Sequence, residues 1–140
     1  KEGDPEAARE AFALFGQVAG DAFATAVTLT DSLIVIGGGL TGAAKYILPS
    51  LVAEMRSTLR TLSGDEVQRV QMRIFNLDDE MEFAKFVVGD SRQIKIFGSE
   101  DTVTYDPMKR TGIAISKLGA SKAISIGAYV YALTSIDSAE

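Results

Sequence analysis

From Ala8 onward, Ala11, Phe12, Phe15, Val18, Ala19, Ala22, Phe23 and Ala26 recur at steps of three and four, the spacing that lays one apolar stripe along a helix. Asp4 is a ready N-cap, Pro5 suits the first helical position and Glu6 favours the positive end of the helix dipole, so a helix is predicted from there to about Thr28. Gly16 and Gly20, four apart and close to the stripe, read equally as a place where another backbone packs near and as two glycines that a long helix tolerates.

The pattern then changes. Ser32 to Ile36 is a short run rich in β-branched residues and polar at neither face, as parallel strands covered on both sides are. Three glycines, Gly37, Gly38 and Gly39, end it. Thr41 is expected to cap a second helix that takes in Ala43, Ala44, Tyr46 and Ile47. Pro49 should break or restart that helix, and Leu51, Met55, Leu59 and Leu62 should carry its pattern on to Ser63-Gly64-Asp65.

Beyond that point Val70, Met72, Ile74 and Leu77 alternate nearly as a strand does, and Met81 to Val88 fits either a short helix or a strand. Gln93 to Phe97 and Thr102 to Tyr105 read as a hairpin through Gly98-Ser99-Glu100-Asp101. Asp106-Pro107 turns the chain, Gly112 to Ser116 supplies another apolar strand, and a last helix is predicted from about Ala120. The expectation is one α/β lobe with a hairpin insertion.

A strand that ends in a glycine turn ahead of a helix is where α/β proteins commonly place nucleotides, because glycine reaches φ > 0 and lets a flat ligand approach without a Cβ in the way. The spacing of Leu40, Thr41, Gly42 and Ala43 after Gly39 does not fit Gly-x-Gly-x-x-Gly, and no Gly-Lys-Ser/Thr makes a P-loop. On these residues alone, a plain tight turn and a nucleotide turn both stand.

Composition narrows the chemistry. With 140 residues one domain is expected, and the net charge of −5 with no cluster of basic residues makes nucleic acid a poor partner, since Arg56, Arg60, Arg69, Arg73, Lys109 and Arg110 are spread among carboxylates. Cysteine and histidine are both absent, which removes disulfides, thiol chemistry, zinc of the Cys/His kind and histidine as a general base. Uninterrupted apolar runs are much shorter than the roughly twenty residues of a membrane span, and no N-terminal signal pattern is seen, so a cytoplasmic chain without a membrane partner is expected. The chain opens at Lys1 rather than at a methionine and passes straight into Gly3-Asp4-Pro5-Glu6, so it is expected to be a piece of a longer protein.

Three groups of polar residues were candidates for chemistry. Asp78, Asp79, Glu80 and Glu82 form the densest acidic cluster, which reads as a solvated loop ahead of an acid–base or magnesium site. Tyr105-Asp106-Pro107-Met108-Lys109-Arg110 reads as a turn with Tyr105 half-buried, ahead of a binding loop. Ser116-Lys117-Leu118-Gly119 reads as a helix cap, ahead of a phosphate-facing turn. No residue offers itself as nucleophile or general base, so catalytic residues stay unknown and no metal ligand is assigned.

Three blocks together carry a resemblance: Gly3-Asp4-Pro5 opening a helix with Phe15-Gly16-Gln17-Val18-Ala19-Gly20-Asp21; Leu33-Ile34-Val35-Ile36-Gly37-Gly38-Gly39; and Leu118-Gly119-Ala120 followed by Ile126-Gly127-Ala128. They resemble the C-terminal part of the ROK family of repressors, open reading frames and sugar kinases, most closely its glucokinase-like members. The match covers the two ends of the chain well and its middle poorly.

The resemblance implies a ribonuclease H-like, actin-like ATPase lobe, a mixed sheet flanked by helices, in which residues 1–140 form the single C-terminal lobe of a two-lobed protein. It implies that Gly37, Gly38 and Gly39, with Thr41, contact adenosine of ATP or ADP, that magnesium and a hexose are engaged through the other lobe, and that the final helix packs back across the molecule. A homodimer is implied for the parent. The catalytic and sugar-contacting residues would lie upstream of Lys1, and 63–110 would be a subfamily insertion. The implied function is phosphorylation of a hexose, glucose at its 6-hydroxyl, with the sugar-sensing and dimer-forming part of a ROK repressor as the alternative. A free-standing nucleotide module unrelated to sugar is a third reading.

Overall fold

The computed structural model describes residues 3–137. Helix α1 (Pro5–Thr30) begins as its first residues dictate, with the Asp4 carboxylate accepting from the Glu6 and Ala7 N–H groups at 2.9 and 3.2 Å. It ends on Asp31, whose φ of 49° turns its N–H back to the Val27 carbonyl. Strand β1 (Ile34–Ile36) follows, then a 3₁₀ turn (Gly39–Ala43) and helix α2 (Ala44–Met55).

The two helices meet through glycine. A Cβ at Gly16 would run into the Ile47 carbonyl, and one at Gly20 would stand 2.6 Å from the Leu51 carbonyl oxygen. The buried line of α1 therefore runs through Gly16, Gly20, Ala24 and Val27, with Phe12, Ala19 and Phe23 partly buried beside it. Of the predicted stripe, Phe15 and Val18 are exposed, because the glycines let the α2 backbone close on the neighbouring row instead. By length and composition α1 is apolar enough to cross a membrane, with a mean hydropathy of 1.3, but one of its faces is occupied by α2.

Helix α2 departs from expectation at both of its predicted limits. It runs through Pro49, which sits at an exposed position where the carbonyl it leaves unpaired can meet water. It stops at Met55, and Leu59 belongs instead to a short antiparallel pair, β2 (Thr58–Arg60) with β3 (Glu66–Gln68), in register Leu59 with Val67. Leu62, expected on the helix stripe, is fully exposed.

Strand β4 (Arg73–Asn76) leads to helix α3 (Glu80–Val88), which settles the ambiguous 81–88 segment as helix. The expected hairpin forms from β5 (Arg92–Lys95) and β6 (Thr102–Tyr105), and β7 (Arg110–Ile115) then enters the centre of the molecule. It pairs in parallel with β1, Ile34 with Ile113, and with β4, Phe75 with Gly112, giving the order β1-β7-β4. The mixed pairing expected of one sheet is thus divided between a wholly parallel sheet and two separate antiparallel pairs. The 63–110 segment contributes β4 to that parallel sheet, so part of it is built into the centre of the fold.

Ile113, fully buried, and Ile74 meet Leu48, Leu51, Val52 and Met55 of α2 in one core. Thr111, buried beside them, donates its hydroxyl to the Ser32 carbonyl at 2.7 Å and so leaves no polar atom unsatisfied. On the opposite face α3 covers β4, where Phe86 meets Phe75 edge to face with centroids 5.7 Å apart, and Leu77 lies over Gly112. Val35 remains exposed there. The expectation of a β1 buried on both sides is therefore corrected, since among the described elements helices cover only the face carrying Ile34 and Ile36.

Helix α4 (Ala120–Asp137) begins where predicted, but every one of its residues is exposed, Ile124, Tyr129, Tyr131 and Ile136 among them. It does not pack back across the described residues. Apolar side chains lie on all its sides, so no single face is selected for this core.

Candidate nucleotide site at the carboxyl edge of the parallel sheet

Strands β1, β7 and β4 all point the same way, so the loops that leave their carboxyl ends are gathered at one edge, the place where open α/β sheets hold ligands. Hydrogen bonds tie the three loops together. The Ser116 N–H donates to the Ile36 carbonyl at 2.8 Å, joining the end of β7 to the start of the glycine turn. On the other side the Leu77 N–H donates to the Ile113 carbonyl at 2.8 Å, and the Asp78 carboxylate accepts from the Ile115 N–H at 3.2 Å.

Within the turn only Gly38 is held to glycine by its backbone conformation. Gly38 has φ 93° and ψ −166°, a region that essentially only glycine occupies. Gly39 has no such constraint, and a Cβ there would meet no atom within 4 Å. At Gly37 a Cβ would only touch the Ser116 Cβ, at 3.8 Å. Among the described residues no atom lies within 4 Å of a Cβ built on Gly38 or Gly39, so the space directly beside both is open.

Thr41 does not cap α2 as expected. It lies inside the 3₁₀ turn, where its hydroxyl donates to the Gly38 carbonyl at 2.9 Å and its N–H reaches the same oxygen at 3.3 Å. The interposed 3₁₀ turn moves the start of α2 to Ala44, behind an Ala43 that makes no side-chain cap. Thr41 thus holds the shape of the turn from within. Gly37, Gly38, Gly39 and Thr41 are one structural unit, with Ser116 beside it and Gly119, at φ 74°, opening α4.

Asp78, Asp79 and Glu80 of the acidic cluster are exposed, as expected of a solvated loop, but three of its four carboxylates also make bonds that shape the fold. Asp79 caps α3 by accepting from the Glu82 N–H at 2.9 Å, and Glu82 accepts from the Asn76 N–H at 2.8 Å and from Arg56 at 2.5 Å. Arg56 also forks onto the Ile74 carbonyl, at 2.6 and 3.0 Å. These carboxylates fix the end of β4 against α2 and α3, and among the described residues no cluster of acidic groups is disposed to hold a metal ion. The part played by Asp78 was not legible in the sequence, because it depends on β4 lying beside β7, which no local pattern announces.

The Tyr105–Arg110 segment is a turn, as expected, with Tyr105 half exposed. Asp106 pairs with Arg110 and also accepts from the Met108 N–H at 2.9 Å and the Asp90 N–H at 3.3 Å. The Arg110 guanidinium first, and the Met108 N–H after it, hold the Asp106 carboxyl below the usual range. This turn lies at the amino ends of β4 and β7, where the Arg73 N–H meets the Lys109 carbonyl, and so is at the other end of the sheet from the glycine turn. Next to it is an open cleft of about 1140 Å³ floored by Met72, Phe75, Pro107 and Met108 and edged by Arg73 and Lys109.

No protein-family model matches the chain, and no curated protein does. Among solved structures, the chain is similar to a crystal structure of a glucokinase from Parabacteroides distasonis, with 46% sequence identity and a TM-score of 0.80. The match covers 96% of this chain but only 36% of the glucokinase. This α/β chain is thus similar to part of a glucokinase, and it spans about a third of that protein's length.

Proposed function

We propose that this chain is the nucleotide-binding C-terminal lobe of an ATP-dependent hexose kinase of the ROK family, acting on glucose at its 6-hydroxyl. The observation that carries the reading is the open glycine turn at the carboxyl edge of the parallel sheet, in a fold 46% identical to part of a glucokinase. On this reading the fold is the ribonuclease H-like lobe of an actin-like ATPase and the parent is a cytoplasmic homodimer.

ATP supplies the phosphoryl group, and transfer needs in-line positioning with magnesium and donors around the γ-phosphate. The residues present fit one end of that ligand. Gly38 and Gly39 leave room beside the backbone for the adenosine end, and Thr41 keeps the turn in shape through the Gly38 carbonyl. On this reading the magnesium, the hexose and the reacting hydroxyl are engaged through the other lobe of the parent protein, as the family resemblance implies. The chain by itself is therefore expected to turn over no ATP in the presence of sugar.

The test is a coupled assay of the full-length protein that contains this chain, with magnesium, ATP and a panel of glucose, mannose, fructose and N-acetylated hexosamines. Turnover with glucose is expected. A folded protein inactive with every sugar would overturn the kinase reading and leave the sugar-sensing repressor, with the glycine turn kept for structure alone.

A further inference from the structure

At the carboxyl end of β7 two successive backbone N–H groups point in opposite directions, because the backbone groups of a strand turn alternately to its two neighbours. Ile113 turns its carbonyl to the β4 side, where the Leu77 N–H donates to it at 2.8 Å, so Ile115, two residues on, offers its N–H to that side as well. Ser116 faces the other way and donates to the carbonyl of Ile36, the residue before Gly37, at 2.8 Å. The β1 side is thus closed by backbone. On the β4 side the strand ends at Asn76 and the chain turns away into α3, and the place beside the Ile115 N–H is taken by a side chain, the Asp78 carboxylate at 3.2 Å.

Asp78 is itself held in position. Its N–H donates to the Asn76 side chain at 3.1 Å, the Asp79 N–H donates to the Asn76 carbonyl at 3.2 Å, and Asp79 caps α3 through the Glu82 N–H. Glu82 in turn accepts from the Asn76 N–H and from Arg56 at the end of α2. Among the described residues no cation pairs with Asp78, so its charge is directed at an N–H, which strengthens that bond.

From this geometry we infer that Asp78 is a positioning residue for the glycine turn. By holding the Ile115 N–H on one side of β7 it keeps the Ser116 N–H aimed at the Ile36 carbonyl on the other, and so fixes where Gly37, Gly38 and Gly39 leave the sheet. Ser116 is also the neighbour that Gly37 meets, since a Cβ on Gly37 would stand 3.8 Å from the Ser116 Cβ. Asp78 acts through Ile115 and Ser116 and needs no contact with a ligand of its own. The consequence for ATP rests on the nucleotide reading of the turn: with the Asp78 bond lost, the turn is less well placed and nucleotide binds more weakly, while the sugar, engaged elsewhere, is unaffected.

Hydrogen exchange of the full-length protein, read peptide by peptide, tests the structural step directly. Asp78→Ala should speed exchange about fivefold in the peptide that carries Gly37 to Thr41, the effect of one lost hydrogen bond, and leave the α1–α2 core at its parent rate. Asp78→Asn, whose side-chain oxygen can still accept from the Ile115 N–H, should stay within about twofold of the parent. Glu80→Ala, which removes the same charge from an exposed neighbour, should leave the turn unchanged. In the coupled assay Asp78→Ala should raise the KM for ATP about fivefold, with kcat and the KM for sugar unchanged. A glycine turn that exchanges at the parent rate in Asp78→Ala, exchange that quickens throughout the protein, an Asp78→Asn variant as impaired as Asp78→Ala, or an active enzyme whose KM for ATP does not move would each overturn the proposal. A parent protein inactive with every sugar would remove the kinase reading alone, and the exchange comparison would then decide the role of Asp78 by itself.

Discussion

Gly20 lies so close to α2 that a β-carbon on it would stand 2.6 Å from the carbonyl oxygen of Leu51 and 2.8 Å from the Glu54 β-carbon. The obstacle is largely backbone, which cannot rotate away, so α1 and α2 approach only because this position and Gly16 carry no side chain.

Gly20→Ala should therefore destabilise the protein although alanine is the better helix former. Overpacking costs about 1–3 kcal/mol, and the propensity gain offsets up to about 1 kcal/mol of it. Gly127→Ala is the control, because a Cβ there meets nothing within 4 Å and the change should be neutral or slightly stabilising. Urea denaturation of the three proteins checks this, and a Gly20→Ala variant as stable as the parent would mean the helices do not pack as described.

The glycine turn separates two roles that a simple scan would confuse. Gly38→Ala forces an alanine to φ 93° and should cost about 1–3 kcal/mol whether or not anything binds. Gly39→Ala has room and an unstrained backbone, so the thermal midpoint should hold. If nucleotide lies on the turn, Gly39→Ala should nonetheless weaken ATP binding in the full-length protein. Unchanged affinity, by calorimetric titration, would remove Gly39 from the site.

At the opposite edge of the sheet the Asp106–Arg110 clasp carries a pH dependence with a definite sign. The folded carboxyl titrates below its unfolded value of about 4, so its contribution is complete above that pH and is lost as pH falls through the lower, folded value. Asp106→Asn removes the charge at every pH. The difference in denaturation midpoint between the parent and Asp106→Asn should be constant near neutrality and shrink in acid below about pH 4. A difference that grows in acid would show that the carboxylate is not stabilised by its partners.

Much of the local structure was legible because its causes are local. Asp4 and Pro5 start α1 through atoms two and three residues away, and Gly98-Ser99-Glu100-Asp101 closes a hairpin between neighbours. Errors came where one local arrangement displaced another that the same residues also fit. Leu59 sits at helical spacing from Met55 but pairs with Val67 across a hairpin, and Thr41 has the chemistry of a cap but spends its hydroxyl on Gly38. Of the candidate site, the glycines could be read in advance, since a β-run ending in three of them is a pattern of adjacent residues. Asp78 could not, because its partner, the Ile115 N–H, is distant in the chain.

The sequence by itself determined where α1, the β5–β6 hairpin and α4 lie, that Gly37–Gly39 would follow a strand, and that neither thiol nor imidazole chemistry is available in this chain. The tertiary structure alone decided that β7 would enter between β1 and β4, that Gly16 and Gly20 rather than Phe15 and Val18 would meet α2, and that three loops would converge on one edge. Periodicity says that a residue has an apolar neighbour but not which one. Parallel pairing, such as Ile34 with Ile113, joins segments whose partnership is settled by the packing of the whole core.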